Sequence, residues 1–530
     1  MRFARLGAVD MRWDAPGPGV WRLLPEHMPR PVSRLMVDLL PLASAGWPRG
    51  AARFGLPMGE TRWAGVNGWV YVQRDPPPPA GEALDRAAEA ALVGRAWRDV
   101  VRDWDAERRP AVVAGNRALQ SVTLGLLDDD ALAGHLGAAI ANVAAVAPDH
   151  FAHMAPFSVA AGLLLAATAE WGIEPSAVVA LLAGHSPASR EASDRLARVA
   201  DALGDRRPAT FAEVRAAGPE AATALDDFLA EHGWRVVYDV AEPSRGERPD
   251  LVLAAVGAAA VGGPAAPPAD RSGKVRARVP AGERERFDRL LADARACYRL
   301  RDDDGGVCYG WPFGLVRRAA LEAGRRLAGR GRLADAGDVF EASPGEIAAL
   351  LAGDGPPADE LAARAALRRA AAAVTPPATL GEPGPGDGAP SDADMPVPPH
   401  VARVQAAQAA CWSLGGPAVG GTGGALRGVG VGDGAHAGPA LVVTGTGEEL
   451  GALRPGHVLV ATTTTAADDP LFAVVGAVAT EHGNLLSHAA ITAREHGLPA
   501  VVGVAGLLDA VPPGALVEVD AAAGTVRVLV

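Results

Sequence analysis

Only three cysteines occur in 530 residues, Cys297, Cys308 and Cys411, and their scatter excludes a disulfide framework and a four-ligand zinc site. So few thiols fit a reducing, cytoplasmic setting. Lysine is scarcer still: Lys274 is the only one, so neither a lysine phosphate loop nor a Schiff-base lysine stands out. Long basic runs are missing, and 62 acidic against 50 basic residues leave a net charge of −12, which argues against a nucleic-acid partner. The opening MRFARLGAVDMRWDAPGPG lacks the continuous apolar core of a signal peptide. The best apolar run, 159–169, is too short to span a bilayer, so the expectation is a soluble protein with no membrane partner.

What is present is a chain 49% hydrophobic and long enough for several domains of about 100–200 residues each. Proline and glycine divide it. The stretch 374–400, VTPPATLGEPGPGDGAPSDADMPVPPH, has neither helical nor strand periodicity and reads as a connector. A second loose stretch, 415–424, follows a short helical pattern over 401–414. The predicted organisation is a mainly helical domain over 1–373, a flexible linker over 374–425, and a small β/α domain over 426–530. The fold class is therefore multidomain α+β.

In the first of these domains, apolar residues recur at helical spacing over 79–107, 130–171, 175–203 and 281–301. The patch RWAGVNGWVYVQ, 62–73, predicts a hairpin turning at Asn67-Gly68. In the last domain, 440–443, 457–461, 476–479 and 500–504 read as strands, 469–475 and 488–496 as helices, and ALVEVDAAAGTVRVL as a hairpin about Ala523-Gly524. The series Gly428, Gly430, Gly432 and Gly434 leads into a strand rather than a helix, so it reads as turn geometry and not as a dinucleotide fingerprint.

The densest signal is TEHGNLLSHAAITAREHGLPAVVG, 480–503. Gly483 and Asn484 allow a sharp, left-handed turn, Ser487 can cap the helix that follows, and His488 projects beside free first-turn N–H groups. A helix N-terminus favours a dianion, by about 0.3–1 kcal/mol for an exposed site. An imidazole of ordinary pKa, about 6.5, is largely neutral and nucleophilic at pH 7.

This string resembles the phosphohistidine swivelling domain of PEP-utilising enzymes, the family of phosphoenolpyruvate synthase, pyruvate phosphate dikinase, rifampicin phosphotransferase and phenylphosphate synthase. The resemblance implies that His488 is the phosphorylated residue, with Ser487 and Gly483 shaping its turn. The family usually has two glycines before the turn, where this chain has Gly483 and Asn484. Four further strings, at 27–40, 55–71, 228–249 and 332–353, resemble the acceptor-binding domain of rifampicin phosphotransferases. That likeness implies a basic residue facing the phosphoryl group at Arg317, and a second charged motif near Arg301. Arg494, after His488 on the same predicted helix, is a further candidate for phosphoryl charge.

No ATP-grasp module is legible in the sequence. The expectation is therefore that this chain binds no cofactor, that ATP and Mg sit on a separate ATP-grasp partner, and that a hydroxylated small molecule is the acceptor. By likeness to the family, the partner passes the β-phosphoryl of ATP to His488 with release of AMP and phosphate. Two other readings stay open: a noncatalytic small-molecule-binding descendant, and a protein-to-protein phosphorelay carrier. His150 and His153, three apart, read as an ordinary pair, a catalytic base or the start of a metal site without a third ligand at suitable spacing. The run Thr462 to Thr465 reads as a donor of hydroxyls to phosphate or as a polar strand end.

Overall fold

The computed structural model describes residues 3–6, 9–25, 27–262, 270–382, 397–414, 425–443, 449, 452–465 and 468–529. Strands β1 (Phe3–Leu6) and β2 (Val9–Arg12) form an antiparallel ribbon. Strands β3 (Trp21–Leu23), β4 (Thr61–Val66), β5 (Trp69–Arg74) and β6 (Thr379–Leu380) make a sheet in the order β4-β5-β3-β6. The β4–β5 turn falls where the sequence predicts: Asn67 and Gly68 both take positive φ, 52° and 81°, which matches the twist of a tight hairpin.

Helices dominate the body around this sheet. Those that build the site are α1 (Asp129–Ala152), α2 (Met154–Glu170), α3 (Ala188–Leu203), α4 (Pro219–His232), α5 (Arg284–Tyr298), α6 (Leu300–Asp304) and α7 (Trp311–Gly329). The single helix expected over 130–171 is two, broken at His153, and α1 is started by Asp128, whose carboxylate accepts the Ala131 N–H at 2.8 Å. The run Asp129–Glu170 is long and apolar enough to cross a membrane on length and composition, longer than the sequence reading allowed. In this fold, 72% of its apolar window is buried inside the protein. The helix expected over 175–203 likewise splits, into Pro175–Val179 and α3.

The expected linker, 374–425, is corrected where it is described. Helix α8 (Pro399–Trp412) buries Val401, Val404, Ala407 and Cys411 against the helical body. It lies so close to α2 that a Cβ on Gly162 would stand 1.8 Å from the Ala407 carbonyl oxygen. Residues 383–396 and 415–424 lie outside the described residues.

The C-terminal domain is one curled eight-stranded sheet, β7 (Ala425–Arg427), β8 (Val429–Val431), β9 (Ala435–Val443), β10 (Val458–Ala461), β11 (Ala477–Thr480), β12 (Ala500–Val502), β13 (Leu516–Asp520) and β14 (Thr525–Leu529), in the order β7-β14-β13-β9-β10-β11-β12-β8. The centre, β9-β10-β11-β12, is parallel, and its strands are continuous apolar runs because both faces are covered. Two short helices, α9 (Asp469–Phe472) and α10 (His488–His496), sit on it. Of the glycine series, Gly430 lies within β8 while Gly432 and Gly434 turn with φ of 82° and 86°, as a turn reading requires. Architecture and fold class agree with the α+β expectation.

One continuous apolar cluster joins the two domains. Phe157, Leu196 and Tyr298 of the helical body share it with Leu471, Phe472, Ala490 and Ile491 of the C-terminal domain. The described chain is thus seen with the small domain docked, its α9–α10 face closed against α3, α5 and α6. A Gly162→Ala change should push α8 off α2 and cost about 1–3 kcal/mol, as overpacking does, read as a lower denaturant midpoint with the secondary structure retained.

Candidate functional site

His488 begins α10 at the docked face and is only 9% exposed. The turn before it is built differently from the expectation. Gly483 takes φ of +139°, where a Cβ would press on Ser487 Oγ at 2.9 Å, so glycine is required there. Asn484 does not adopt a left-handed backbone; its side-chain oxygen accepts the Leu486 N–H at 2.8 Å instead. Ser487 occupies the N-cap position with extended backbone, but its hydroxyl donates to the Asn484 carbonyl at 2.8 Å and caps nothing. Ser487 therefore closes the turn, while the first-turn N–H groups receive no side-chain cap.

Both ring nitrogens of His488 face carboxylates. Nδ1 lies 3.3 Å from Asp302 Oδ1, contributed by α6 of the helical body, and Nε2 lies 3.2 Å from Asp469 Oδ1, contributed by α9 of its own domain. Thr492, one turn on, brings its hydroxyl within 3.3 Å of both Nε2 and Asp469. Phe472 meets the ring edge-on at 6.3 Å. Burial by itself would lower the imidazole pKa, but Asp469 and Asp302 outweigh it and raise it to about 10. The expectation of a neutral, unperturbed imidazole is thus corrected: in the docked domain His488 is an imidazolium held between two carboxylates.

The carboxylates are themselves supported. Burial opposes ionisation of Asp302, yet the bond from His488 and those from the Ser189 and Ser186 hydroxyls, at 2.5 and 2.8 Å, hold it below the usual carboxylate range. Asp469 has fewer such partners, and burial pushes it up to about 6 against the pull of His488. Around this centre, Glu495 accepts the Gly184 N–H at 2.9 Å, and burial pushes its carboxyl up to about 7. His496 Nε2 stands 3.4 Å from the Ser189 carbonyl. Arg245 pairs with Asp468 at 2.9 Å across the same seam.

The two candidate arginines serve other groups. Arg494 donates to Tyr298 Oη at 3.0 Å and to the Leu485 carbonyl at 2.9 Å, so it pins the turn before His488 to α5. Arg317 forms a two-point ion pair with Glu247, at 2.8 and 2.9 Å, and donates to the Val240 carbonyl at 3.0 Å; none of these partners belongs to the His488 site. Arg301 lies over the Phe157 ring at 5.7 Å, with Nη1 buried and unbonded. Thr462, Thr463 and Thr464 line a narrow seam cleft with Arg30, Tyr238 and Asp468. The Thr463 carbonyl accepts Tyr238 Oη at 3.1 Å there, and the Thr464 hydroxyl is buried without a partner.

His150 and His153 come together on one carboxylate, their Nδ1 atoms 2.7 and 2.6 Å from the two oxygens of Asp304. Burial raises Asp304 to about 7 and lowers His150 to about 4. Asp304 stands two positions after Asp302, roughly 200° around a helix, so this trio lies on the far side of α6 from His488. Among the described residues one carboxylate–imidazole group, Glu191, Glu231 and His232, has ligand atoms within 4.8 Å of one another. Arg195 already bonds both glutamates, at 2.7 and 2.9 Å, so a guanidinium fills the place a cation would take.

Sequence reasoning missed Asp302 and Asp469. The first stands in the acidic triplet beside Arg301, the second at the start of the short helix after the threonine run, and neither spacing singles them out.

Two stretches of the chain match known protein families. Residues 453–524 match the mobile domain of PEP-utilising enzymes. Residues 150–302, ending at the aspartate that meets His488, match the fourth domain of rifampicin phosphotransferase. The chain is 35% identical over 218 residues to an uncharacterised protein of Mycobacterium tuberculosis, covering 41% of this chain and 22% of that protein. It is 39% identical over 106 residues to a rifampicin phosphotransferase of Streptomyces sviceus, covering 20% of this chain and 12% of that enzyme. It is 36% identical over 103 residues to the prodigiosin synthesizing transferase of Serratia marcescens, covering 19% and 12%. The match spans about a fifth of the mycobacterial protein. The chain thus carries two stretches similar to domains of PEP-utilising enzymes and of rifampicin phosphotransferase.

A raised imidazole pKa stabilises the docked fold fully below the unfolded value, near about 6.5, and the contribution is lost as pH rises through about 10. Wild type should therefore lose more thermal stability between pH 7 and pH 10 than His488→Gln. In NMR titrations, Asp469→Asn should bring the His488 transition down by about one unit or more.

Proposed function

We propose that this chain carries a phosphoryl group on His488 and delivers it to a hydroxyl of a small molecule held by the helical domain. The observation that carries this reading is the contact of His488 with Asp302, which joins the mobile-domain match to the end of the match to the rifampicin phosphotransferase fourth domain. The group that charges His488 is, on this reading, an ATP-grasp unit outside these 530 residues, where ATP and Mg bind.

The docked geometry suits the second half-reaction. A phosphoryl group on either ring nitrogen displaces one carboxylate and leaves the other bonded to the opposite N–H, which keeps the ring cationic and a good leaving group. Asp302, anionic and facing the seam, is placed to take the proton of the acceptor hydroxyl. With the group on Nδ1, the nitrogen Asp302 faces, the oxygen–phosphorus bond forms as the nitrogen–phosphorus bond breaks, and the proton passes through Asp302 to the vacated Nδ1. The result is the imidazolium between two carboxylates. Little covalent chemistry is asked of the protein beyond positioning, as a loose phosphoryl-transfer transition state allows.

The uncharged docked pose also explains why a swing is needed. With both nitrogens covered by acids, His488 is no nucleophile toward a nucleotide, so charging requires the small domain to leave the helical body.

The test is incubation of the protein and His488→Ala with labelled ATP and an ATP-grasp protein from the same source. Acid-labile, base-stable label that needs both His488 and the added protein is the expected result. Absence of label, with that ATP-grasp protein active on another histidine domain, would overturn the carrier reading. Asp302→Asn should still accept label but discharge it to an acceptor about 100-fold more slowly, the usual scale of a lost general base.

A further inference from the structure

Arg235 is a cation at this seam that makes no ion pair among the described residues. The residue is 7% exposed, and its side chain has a definite course. Its Cβ and Cγ lie over Gly310, and its guanidinium lies over Gly306, where a Cβ would fall 2.5 Å from Nη1 and 2.6 Å from Cζ. Gly310, Gly306 and Asp302 are four apart along one continuous run, α6 and the π-helical turn Gly305–Gly310, and so share a face. Backbone pairing fixes the direction: the Val236 N–H donates to the Gly310 carbonyl at 3.1 Å, so the side chain points along the helix toward Asp302, about one turn or roughly 6 Å away. Asp302 is the residue that meets His488.

Nε donates to the Glu231 carbonyl at 3.0 Å. Nη1 and Nη2 make no hydrogen bond or ion pair among the described residues. The body of the side chain is buried while its two outer nitrogens stay open and unbonded, a fork of charge-assisted donors free to take an anion. The fields of Glu191, then of Asp469, the other carboxylate on His488, and of Glu231 reach it. By contrast Arg317 and Arg494 spend their donors on Glu247, Tyr298 and main-chain carbonyls.

We propose that Arg235 is a catalytic residue that grips the oxygens of the phosphoryl group during its transfer from His488, and that the same guanidinium binds free phosphate when the chain is uncharged. This rests on the carrier reading for its catalytic half and on geometry alone for its binding half. The planar fork matches two phosphoryl oxygens, and the small side of the helix at Gly306 is what lets the fork lie flat within reach. No bond of Arg235 forms or breaks; it neutralises charge while the phosphorus moves from nitrogen to oxygen.

The experiment uses the full chain as wild type, Arg235→Gln, Arg235→Lys and Gly306→Ala. Gly306→Ala moves the guanidinium without removing it, and only a flexible side-chain end has to give way, so it keeps the proposal testable should Arg235→Gln fold poorly. In the first arm, inorganic phosphate is titrated calorimetrically into uncharged protein at constant ionic strength. Wild type is expected to bind, Arg235→Gln and Gly306→Ala to bind about tenfold more weakly or less, as loss of charge-assisted hydrogen bonds implies, and Arg235→Lys to fall between. In the second arm, protein labelled on His488 is mixed with phenols and alcohols. Arg235→Gln should take label normally and discharge about 100-fold more slowly. Equal phosphate affinity in wild type and Arg235→Gln overturns the anion site, and equal discharge overturns the role in transfer. Failure of wild type to take label at all defeats the carrier reading instead, and the phosphate arm then decides on Arg235 by itself.

Discussion

A charged imidazole between two buried carboxylates is the interaction on which the rest of the arrangement depends. Removing three ionised groups from water is expensive, and it is tolerated only where each is hydrogen-bonded and the local charge is nearly balanced. Asp302 meets that condition through two serine hydroxyls of the helical body as well as His488; Asp469 has Thr492 and His488. The clamp is shared between domains, so undocking breaks it in half: Asp302 keeps its serines and returns to water, while His488 keeps Asp469. That asymmetry makes the seam a polar latch set in an apolar closure, with Leu471, Phe472 and Ile491 supplying the area and the ion pairs supplying register.

The helical body is shaped to bring that latch within reach. Close approach along the π-helical turn and the start of α7 depends on glycine at Gly306 and Gly314, the latter so near the neighbouring segment that a Cβ would fall 1.5 Å from the Trp234 carbonyl. π-Turns recur at functional sites because an extra residue in the turn re-aims the side chains on either side. Here the turn lies between Asp302, which faces His488, and Trp311, which begins the long buried helix α7. The trio of His150, His153 and Asp304 on the opposite side of α6 ties that helix to the break between α1 and α2. Its shared carboxylate gives both imidazoles a partner in the interior, which is a sufficient account of two histidines three residues apart.

Much of this was legible in the chain. Periodicity located most of the helices and the strands of the C-terminal sheet, Asn67-Gly68 marked the β4–β5 hairpin of the other sheet, and SHAAITAREHG marked both the helix and the histidine that starts it. These features depend on hydrogen bonds and side-chain spacing within a few residues, which any reading of local pattern captures. The errors were of two kinds. The short helical pattern over 401–414 was assigned to a flexible linker among prolines and glycines, whereas α8 is held to the helical body by burying Val401, Val404, Ala407 and Cys411. Residue types that allow several local bonds were assigned the wrong one: Ser487 closes a turn instead of capping, and Asn484 uses its side chain instead of a left-handed backbone.

By itself, then, the sequence determined the likeness that singles out His488, the class of domain that holds it, and the absence of any disulfide framework. Only the tertiary structure decided that His488 is charged when docked, that Arg317 and Arg494 are engaged elsewhere, and that Arg235 ends at Gly306. The reason is physical. A side chain's partners within one turn are set by backbone geometry, whereas its protonation and its counter-ions are set by whatever packing brings against it, here a carboxylate 186 residues away in the chain.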